Sequence, residues 1–179
     1  MNRRDFIHDL LGVAAISAGV GASRSSLAQS APVAQPSPPT RPQLVGVDEN
    51  GRAVRLADYA GRACLVSFFT SGCNLCLNDL KLMREFNRDN RAKRFVMLAV
   101  SLDEKRNDYL DYAKLIALSV PVAQQFPLLW RGAPEHSDSF GAITQWPTHF
   151  VLDRSHQLLR TRQGSFKPED WDDLWTLLE

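Results

Sequence analysis

Runs of consecutive apolar residues mark the strands of this chain. Residues 64–69 and 94–101 each have the length and composition of a strand buried on both faces. Shorter strand-like segments form two pairs around polar turns, at residues 44–47 with 53–56 and at residues 148–152 with 157–162. Each pair predicts an antiparallel hairpin, and Asn50-Gly51 in the first turn suits a positive φ at both central residues.

Apolar residues at helical spacing predict three helices. The first begins after residues 70–72 and carries Leu75, Leu77, Leu80, Met83 and Phe86. The second has Asp103 as a suitable N-cap and carries Tyr109, Leu110, Tyr112, Ala113 and Ile116. The last has Pro168 in its first turn and an inner face of Trp171, Leu174, Trp175 and Leu178. This alternation of strands and helices predicts an α/β fold with a parallel sheet and right-handed crossovers.

Residues 1–28 have the features of an export signal. Asn2-Arg3-Arg4-Asp5-Phe6-Ile7 resembles the twin-arginine consensus, and residues 10–22 form a short apolar segment. That segment is shorter than the roughly 20 residues of a membrane span, and Ser26-Leu27-Ala28 offers a cleavage site. An uncleaved membrane anchor is the alternative interpretation. Residues 29–43 are proline-rich and predict an extended linker, so the domain is predicted over residues 44–179.

Charge and missing motifs exclude several classes of function. The chain has 179 residues and a formal net charge of +1, and this charge is lost if the signal is removed. This balance favours neither a nucleic acid nor an anionic membrane as partner. The sequence also lacks a G-x-S-x-G motif, a phosphate-binding glycine loop and an H-E-x-x-H motif. It predicts no cofactor.

Two cysteines lie where a predicted strand ends and a predicted helix begins, at Cys73 and Cys76. The first turn of a helix has unpaired backbone N–H groups and the positive end of the helix dipole, which stabilise a thiolate at Cys73. Cys76 is one helical turn away on the same face, so the two sulfur atoms can form a disulfide. This pattern predicts Cys73 as the exposed, attacking thiol and Cys76 as the buried thiol that resolves a mixed disulfide.

Other roles for the cysteines have less support. Structural zinc usually needs four protein ligands, and the sequence has neither a second C-x-x-C nor a spaced pair of histidines. A purely structural disulfide across three residues would close almost no loop and would stabilise little. The third cysteine, Cys64, lies in a predicted buried strand and is expected to be a small core residue. The alternative is that Cys64 acts as a third redox thiol.

The order of strand, turn, C-x-x-C and helix resembles a thioredoxin-type site. The longer pattern is similar to the TlpA/ResA branch of thiol–disulfide oxidoreductases. In that branch an L-x-D-Y-x-G-[KR] segment leads into the strand, and residues 56–62 match it. Residues 140–153 (FGAITQWPTHFVLD) resemble the branch's element in which a cis-proline precedes a threonine and a strand. The resemblance covers residues 44–179 and rests on both motifs together.

The resemblance implies a thioredoxin-like three-layer α/β sandwich, with a mixed central sheet and an added N-terminal β-hairpin. It implies that Pro147 is cis and faces the cysteines, and that Trp146, Pro147 and Thr148 form a substrate groove. There the Trp146 backbone would pair with an extended substrate segment. It also implies a short strand within residues 118–134 and a short helix at residues 137–141.

The activity implied by the resemblance is that of a periplasmic thiol–disulfide oxidoreductase with a reducing role. Its substrates would be protein disulfides, with the cysteines of apocytochrome c or of a copper site as candidates. A membrane thiol reductase would be the electron donor. Three positions depart from the pattern: Gly72 replaces the usual tryptophan, Leu75 replaces the usual proline, and Ser67 stands where thioredoxin has a buried aspartate. Such neighbours influence the reduction potential of the cysteine pair.

Two other functions remain open as alternatives. A copper-binding metallochaperone would use Cys73, Cys76 and His149, although the related copper-delivery proteins carry C-x-x-x-C. A peroxiredoxin-like peroxidase is suggested by the T-x-x-C pattern of residues 70–73, but the proline expected three residues before the threonine is Ser67 here.

Overall fold

The computed structural model describes residues 39–178. The predicted export signal and most of the predicted linker lie outside these residues. The first contact between the described N-terminal segment and the sheet is at Thr40, whose carbonyl accepts a hydrogen bond from the Leu158 amide at 2.8 Å. Gln43 and Ser139 also exchange hydrogen bonds. Residues 40–43, just before the predicted start of the domain at residue 44, are therefore hydrogen-bonded to it.

The strands and helices of the described residues follow one another in an order that alternates β and α elements. They are β1 (Leu44–Val47), β2 (Ala53–Arg55), β3 (Ala63–Phe69), α1 (Asn74–Asp89), β4 (Phe95–Ser101), α2 (Arg106–Ser119), β5 (Leu128–Trp130), β6 (Ser137–Asp138), β7 (Thr148–Leu152), β8 (Leu158–Gln163) and α3 (Pro168–Leu178). Short 3-10 turns occur at Leu56–Tyr59 and Val122–Gln124.

A central sheet of five strands has the order β5-β4-β3-β7-β8. Strands β3, β4 and β5 are parallel, whereas β7 is antiparallel to both of its neighbours, β3 and β8. The predicted buried strands, the predicted C-terminal pair and the mixed sheet implied by the resemblance are confirmed. The α/β class with a thioredoxin-like sheet is therefore confirmed as well.

The central sheet separates two apolar clusters. Because side chains alternate along a strand, Leu65 and Phe69 of β3 face the cluster that contains apolar residues of all three helices. Val66 and Phe68 face the other cluster, which residues of the N-terminal hairpin and Phe140 complete. Strand β3 is buried along its whole length, so its carboxyl end, where Cys73 follows, is held firmly in place.

The N-terminal hairpin is confirmed, with β1 antiparallel to β2. The short helix predicted at residues 137–141 is wrong, because Ser137 and Asp138 form β6 and pair with β1. A positive φ in the hairpin turn occurs at Gly51 (76°) but not at Asn50. The Asp48 carboxylate accepts hydrogen bonds from the Asn50 and Arg52 amides at 2.9 and 2.8 Å, which closes the turn without a second left-handed residue.

Three further details differ from the sequence-based expectations. Helix α2 begins at Arg106 with Lys105 in the N-cap position and no side-chain cap, so the prediction of Asp103 as N-cap is wrong. Leu75, predicted on the apolar face of α1, is 59% exposed, and Trp175 of α3 is 46% exposed.

Candidate active site

Cys73 is the N-cap residue of helix α1, directly after the turn that follows β3. Its carbonyl accepts the first helical hydrogen bond, from the Leu77 amide at 3.1 Å. Its Sγ accepts a hydrogen bond from the Cys76 amide, also at 3.1 Å. A backbone N–H at the positive end of the helix therefore points at the sulfur atom and stabilises negative charge there.

The two cysteines form a disulfide, and their Cα atoms are 5.2 Å apart. That separation allows a bridge without movement of the backbone. Cys76 is completely buried, whereas Cys73 is only half-buried. A reacting group from outside can therefore reach the Cys73 sulfur first.

Asp103 fixes the turn that precedes Cys73. Its Oδ1 accepts hydrogen bonds from the amide and the hydroxyl of Ser71 at 2.9 and 3.0 Å. Its Oδ2 accepts one from the Ser101 hydroxyl at 2.7 Å. The Trp130 indole N–H donates to the Asp103 carbonyl at 2.8 Å. The loops after β3 and β4 are thus joined, a role that sequence reasoning missed because residues 71 and 103 are far apart in the chain.

A buried polar pair lies beneath the same end of α1. Asp79 is three residues after Cys76 and so shares its helix face. The Asp79 Oδ2 accepts hydrogen bonds from the His149 Nε2–H at 3.1 Å and from the Phe166 amide at 3.0 Å. Both side chains are buried. Sequence reasoning missed Asp79, since a lone aspartate within an apolar helical pattern carries no motif.

Burial lowers the pKa of His149 below its ordinary value. The loss of solvation disfavours the charged imidazolium more than the nearby Asp79 favours it. The imidazole is therefore neutral at pH 7, with its proton on Nε2 toward the carboxylate. Its Nδ1 has no hydrogen-bond partner among the described residues, and neither has the Ser67 hydroxyl on the facing position of β3.

The lowered pKa of His149 predicts a loss of stability on acidification. Below about pH 6.5 the unfolded chain binds a proton at this histidine that the folded chain does not bind. The free energy of unfolding should therefore fall as the pH drops below about 6.5, by up to roughly 1.4 kcal/mol per pH unit. Denaturant titrations between pH 5 and pH 8 should show this slope in the parent chain and a shallower one in His149→Gln. Equal slopes would contradict the assignment.

Trp146 and Pro147 are joined by a cis peptide bond. Trp146 is 47% exposed, whereas Pro147 and Thr148 are buried. The Thr148 hydroxyl donates a hydrogen bond to the Gln145 carbonyl at 2.6 Å. The Pro147 carbonyl accepts one from the Gly164 amide at 2.8 Å. Of the three residues predicted for the substrate groove, only Trp146 presents its side chain to solvent, and Thr148 instead holds the turn.

A groove of about 970 Å³ lies beside the disulfide. We call it the acidic groove; its lining residues are Thr70, Ser71, Gly72, Leu77, Leu102, Asp103, Glu104, Lys105, Asp108, Asp111, Tyr112, Leu115, Ile143 and Trp146. The turn that leads into Cys73 forms one wall, and the loop after β4 with the start of α2 forms another. Gly72, directly before Cys73, and Leu77, directly after Cys76, line this groove, whereas neither cysteine is among its lining residues.

Cys64 lies in β3, at the end of the strand opposite to the disulfide, and it is completely buried. Its Sγ is 3.5 Å from both the Arg62 carbonyl oxygen and the His156 Nε2. Burial raises the pKa of the Cys64 thiol to about 12. The expected role as a core residue fits this environment better than that of a third redox thiol, since a neutral buried thiol is a poor nucleophile.

We expect Cys64 to resist alkylation in the folded chain. After reduction of the disulfide, iodoacetamide at pH 8 should modify Cys73 rapidly and leave Cys64 unmodified, because little thiolate forms at a pKa of about 12. Mass spectrometry of the digested protein measures this directly, and addition of denaturant should expose Cys64. Rapid modification of Cys64 under native conditions would show that β3 opens at this end.

Within residues 39–178 no cluster of three or more His, Cys, Asp and Glu side chains is placed to hold a metal ion. In the same range no helix combines the length and the apolar character that a membrane crossing requires. The His149 Nε2 is engaged by Asp79, so the third ligand of the copper-binding alternative is directed away from solvent.

A thioredoxin-like sheet with a disulfide-bonded C-x-x-C at the start of the helix after its central strand defines the class of protein: a thiol:disulfide oxidoreductase of the thioredoxin-like kind. The chain belongs to the AhpC/TSA family, whose model matches residues 36–160. Both statements agree with the resemblance to the TlpA/ResA branch.

Individual proteins show the same relationship. Thiol-disulfide oxidoreductase ResA of Geobacillus thermodenitrificans is 24% identical over 131 residues, which cover 73% of this chain and 71% of that protein. A thiol:disulfide interchange protein of the thioredoxin family from Chlorobium tepidum is 22% identical with a TM-score of 0.63, over 82% of this chain and 100% of the other. StoA of Bacillus subtilis is 20% identical with a TM-score of 0.57, over 77% and 99% of the two chains. These structures share the fold of this chain.

Proposed function

We propose that the chain reduces disulfides of exported proteins through a dithiol–disulfide exchange at Cys73 and Cys76. The observation that carries this proposal is the difference between the two sulfur atoms. Cys73 is half-buried at the helix N-terminus and accepts a backbone N–H, whereas Cys76 is fully buried behind it. This is the arrangement that an attacking thiolate and a resolving thiol require.

The proposed reaction has two exchange steps. The Cys73 thiolate attacks one sulfur atom of the substrate disulfide, forms a mixed disulfide and expels the other substrate sulfur as a thiolate, which takes up a proton. The Cys76 thiolate then attacks the Cys73 sulfur and releases the second substrate thiol. Two electrons pass from the enzyme dithiol to the substrate, which leaves Cys73 and Cys76 joined as a disulfide.

We assign Trp146, Pro147 and Thr148 to the substrate contact in different ways. The exposed Trp146 indole would cover an incoming segment, and its backbone would pair with that segment in an extended conformation. Pro147 and the buried Thr148 would shape and hold the turn that presents Trp146. The hydrogen bond from the Thr148 hydroxyl to the Gln145 carbonyl supports this holding role.

The proposed location is the periplasm, with residues 1–28 as an export signal and residues 29–43 as a linker to the domain at residues 44–179. The support is the twin-arginine-like motif and the small-x-small site at residues 26–28. Cysteines of apocytochrome c before haem attachment, or of a copper site before metallation, are the proposed substrates. A membrane thiol reductase would return the oxidised chain to its dithiol form.

The experiment that tests the activity is a glutathione or dithiothreitol redox titration of the full chain with Cys64→Ala. We expect one two-electron transition at about −250 mV or lower, as for a reductant of the thioredoxin kind. A transition at about −120 mV would indicate an oxidant and overturn the proposed direction of electron flow. Failure to observe any reversible Cys73–Cys76 couple would overturn the activity itself.

The copper-binding alternative makes a different prediction from the reductase. It requires tight Cu(I) binding that is lost in His149→Ala, with the redox couple little changed. The burial of His149 and its hydrogen bond to Asp79 argue against this role. No contact among the described residues favours the peroxidase alternative, and Ser67 lies inside β3 at the position where that activity would need a proline.

A further inference from the structure

The acidic groove differs in charge from the chain as a whole. The chain is close to electrical neutrality, yet the groove is lined by four carboxylates, on Asp103, Glu104, Asp108 and Asp111, and by one ammonium group, on Lys105. Such an imbalance in a concave surface concentrates negative potential there. This negative potential repels an anionic ligand and attracts a cationic one.

Three of these carboxylates are free to interact with a partner. Asp103 is engaged by Ser71 and Ser101. Glu104, Asp108 and Asp111 are exposed, and in residues 39–178 their side chains have neither a hydrogen bond nor an ion pair. They are not clustered closely enough to hold a metal ion within this range. Three spaced negative charges along one wall of the groove are complementary to a ligand that carries several spaced positive charges.

The groove also has an apolar component that faces solvent. Trp146 is 47% exposed and Leu115 is 58% exposed, and both line the groove together with Leu77. Exposed large apolar side chains beside a reactive centre are typical of surfaces that contact another protein. The occupant therefore has apolar side chains as well as positive charge, which a polypeptide segment provides.

We infer that the acidic groove selects substrate proteins whose reactive cysteines are flanked by lysine or arginine in an extended segment. This inference rests on the proposed function and specifies its substrate class. Asp103 ties one wall of the groove to the turn before Cys73, so a segment held by the carboxylates lies close to the residues on either side of the disulfide. Long-range attraction between opposite charges raises the rate of encounter more than it strengthens the final contact.

Single-turnover kinetics of the full chain test this inference. The chain is first reduced and freed of reductant, and is then mixed with one of three synthetic peptides that each contain one intramolecular disulfide. The peptides differ only in the residues beside their cysteines, which are lysines, glutamines or glutamates. Acid quenching, alkylation and mass spectrometry follow the oxidation of Cys73 and Cys76. At low ionic strength the lysine peptide should react at least about 10-fold faster than the glutamate peptide. Near 0.5 M salt, where the screening length is about 4 Å, the preference should largely disappear.

A pair of matched variants assigns the preference to the groove. Glu104→Gln with Asp111→Asn removes two groove charges and should reduce the rate ratio several-fold. Asp58→Asn with Asp172→Asn removes two exposed charges outside the groove and should leave the ratio unchanged. Equal rates for the three peptides, or equal ratios in the two variants, would overturn the inference.

A small neutral disulfide separates failure of the inference from failure of the proposed function. Hydroxyethyl disulfide has no charge for the groove to recognise, so the reduced parent chain should react with it, and Asp58→Asn with Asp172→Asn should react at the parent rate. Reaction with this compound but no preference among the peptides would refute the substrate class alone. No reaction with any disulfide would refute the proposed function.

Discussion

Replacement of Cys73 by serine is expected to abolish disulfide exchange, with a loss of at least roughly 10³-fold in rate. The hydroxyl of serine does not ionise near neutral pH and cannot form a mixed disulfide. Cys76 cannot substitute for it, because its sulfur is completely buried. The measurement is reduction of a peptide disulfide by the pre-reduced full chain, and the matched control is Cys64→Ser, which should retain the parent rate.

The companion variant Cys76→Ser should behave in the opposite way. Cys73 can still attack, but the mixed disulfide cannot be resolved, so a covalent adduct with substrate should accumulate. Non-reducing gels of extracts from cells that produce each variant would show adducts for Cys76→Ser and none for the Cys73→Ser/Cys76→Ser double variant. Adducts that depend on Cys64 instead would mean that the attacking thiol has been assigned wrongly.

The second large effect is expected at Asp79. In Asp79→Ala the His149 Nε2–H and the Phe166 amide lose their common acceptor inside the core. Buried donors left without a partner are costly, so we expect a loss of about 3 kcal/mol in the free energy of unfolding. For a domain of this size that loss lowers Tm by about 10 °C. Thermal and denaturant unfolding monitored by circular dichroism measure both quantities.

Two variants separate this explanation from a general effect of changing helix α1. Asp79→Asn keeps one oxygen acceptor of the same shape, so it should lose less stability than Asp79→Ala. Asp89 lies on the same helix, but its carboxylate is exposed and pairs with the neighbouring Arg88. Little change in stability is therefore expected for Asp89→Ala. A loss at Asp79→Ala no larger than at Asp89→Ala would show that the buried contacts contribute little.

Local patterns were sufficient for most of the fold. The apolar runs at β3 and β4 could be recognised because strands buried on both faces are continuously apolar. The start of α3 at Pro168 followed from the preference of proline for the first turn of a helix. Strand β6 was missed because a two-residue strand has no periodicity, and its existence depends on its pairing with β1.

The expected N-cap at Asp103 shows the limit of local rules. Aspartate before a helix is a good cap by propensity. Here its carboxylate accepts hydrogen bonds from Ser71 and Ser101, and the helix begins later without a side-chain cap. Propensity indicates which positions a residue favours, but the hydrogen-bond partners that the fold brings close to it determine the position it takes.

The sequence by itself determined where the cysteine pair lies, since a C-x-x-C between a buried strand and an amphipathic helix implies two sulfur atoms on one face at a helix N-terminus. The alternation of strands and helices also predicted the α/β fold in which that helix follows a buried strand. Only the tertiary structure decided which groups surround the pair. Asp79 meets His149, and Asp103 meets Ser71, across large separations in the chain. The acidic wall of the groove likewise forms only when α2 is placed beside the turn before Cys73. Spacing along the chain specifies neighbours within one element, but contacts between elements depend on how the whole chain packs.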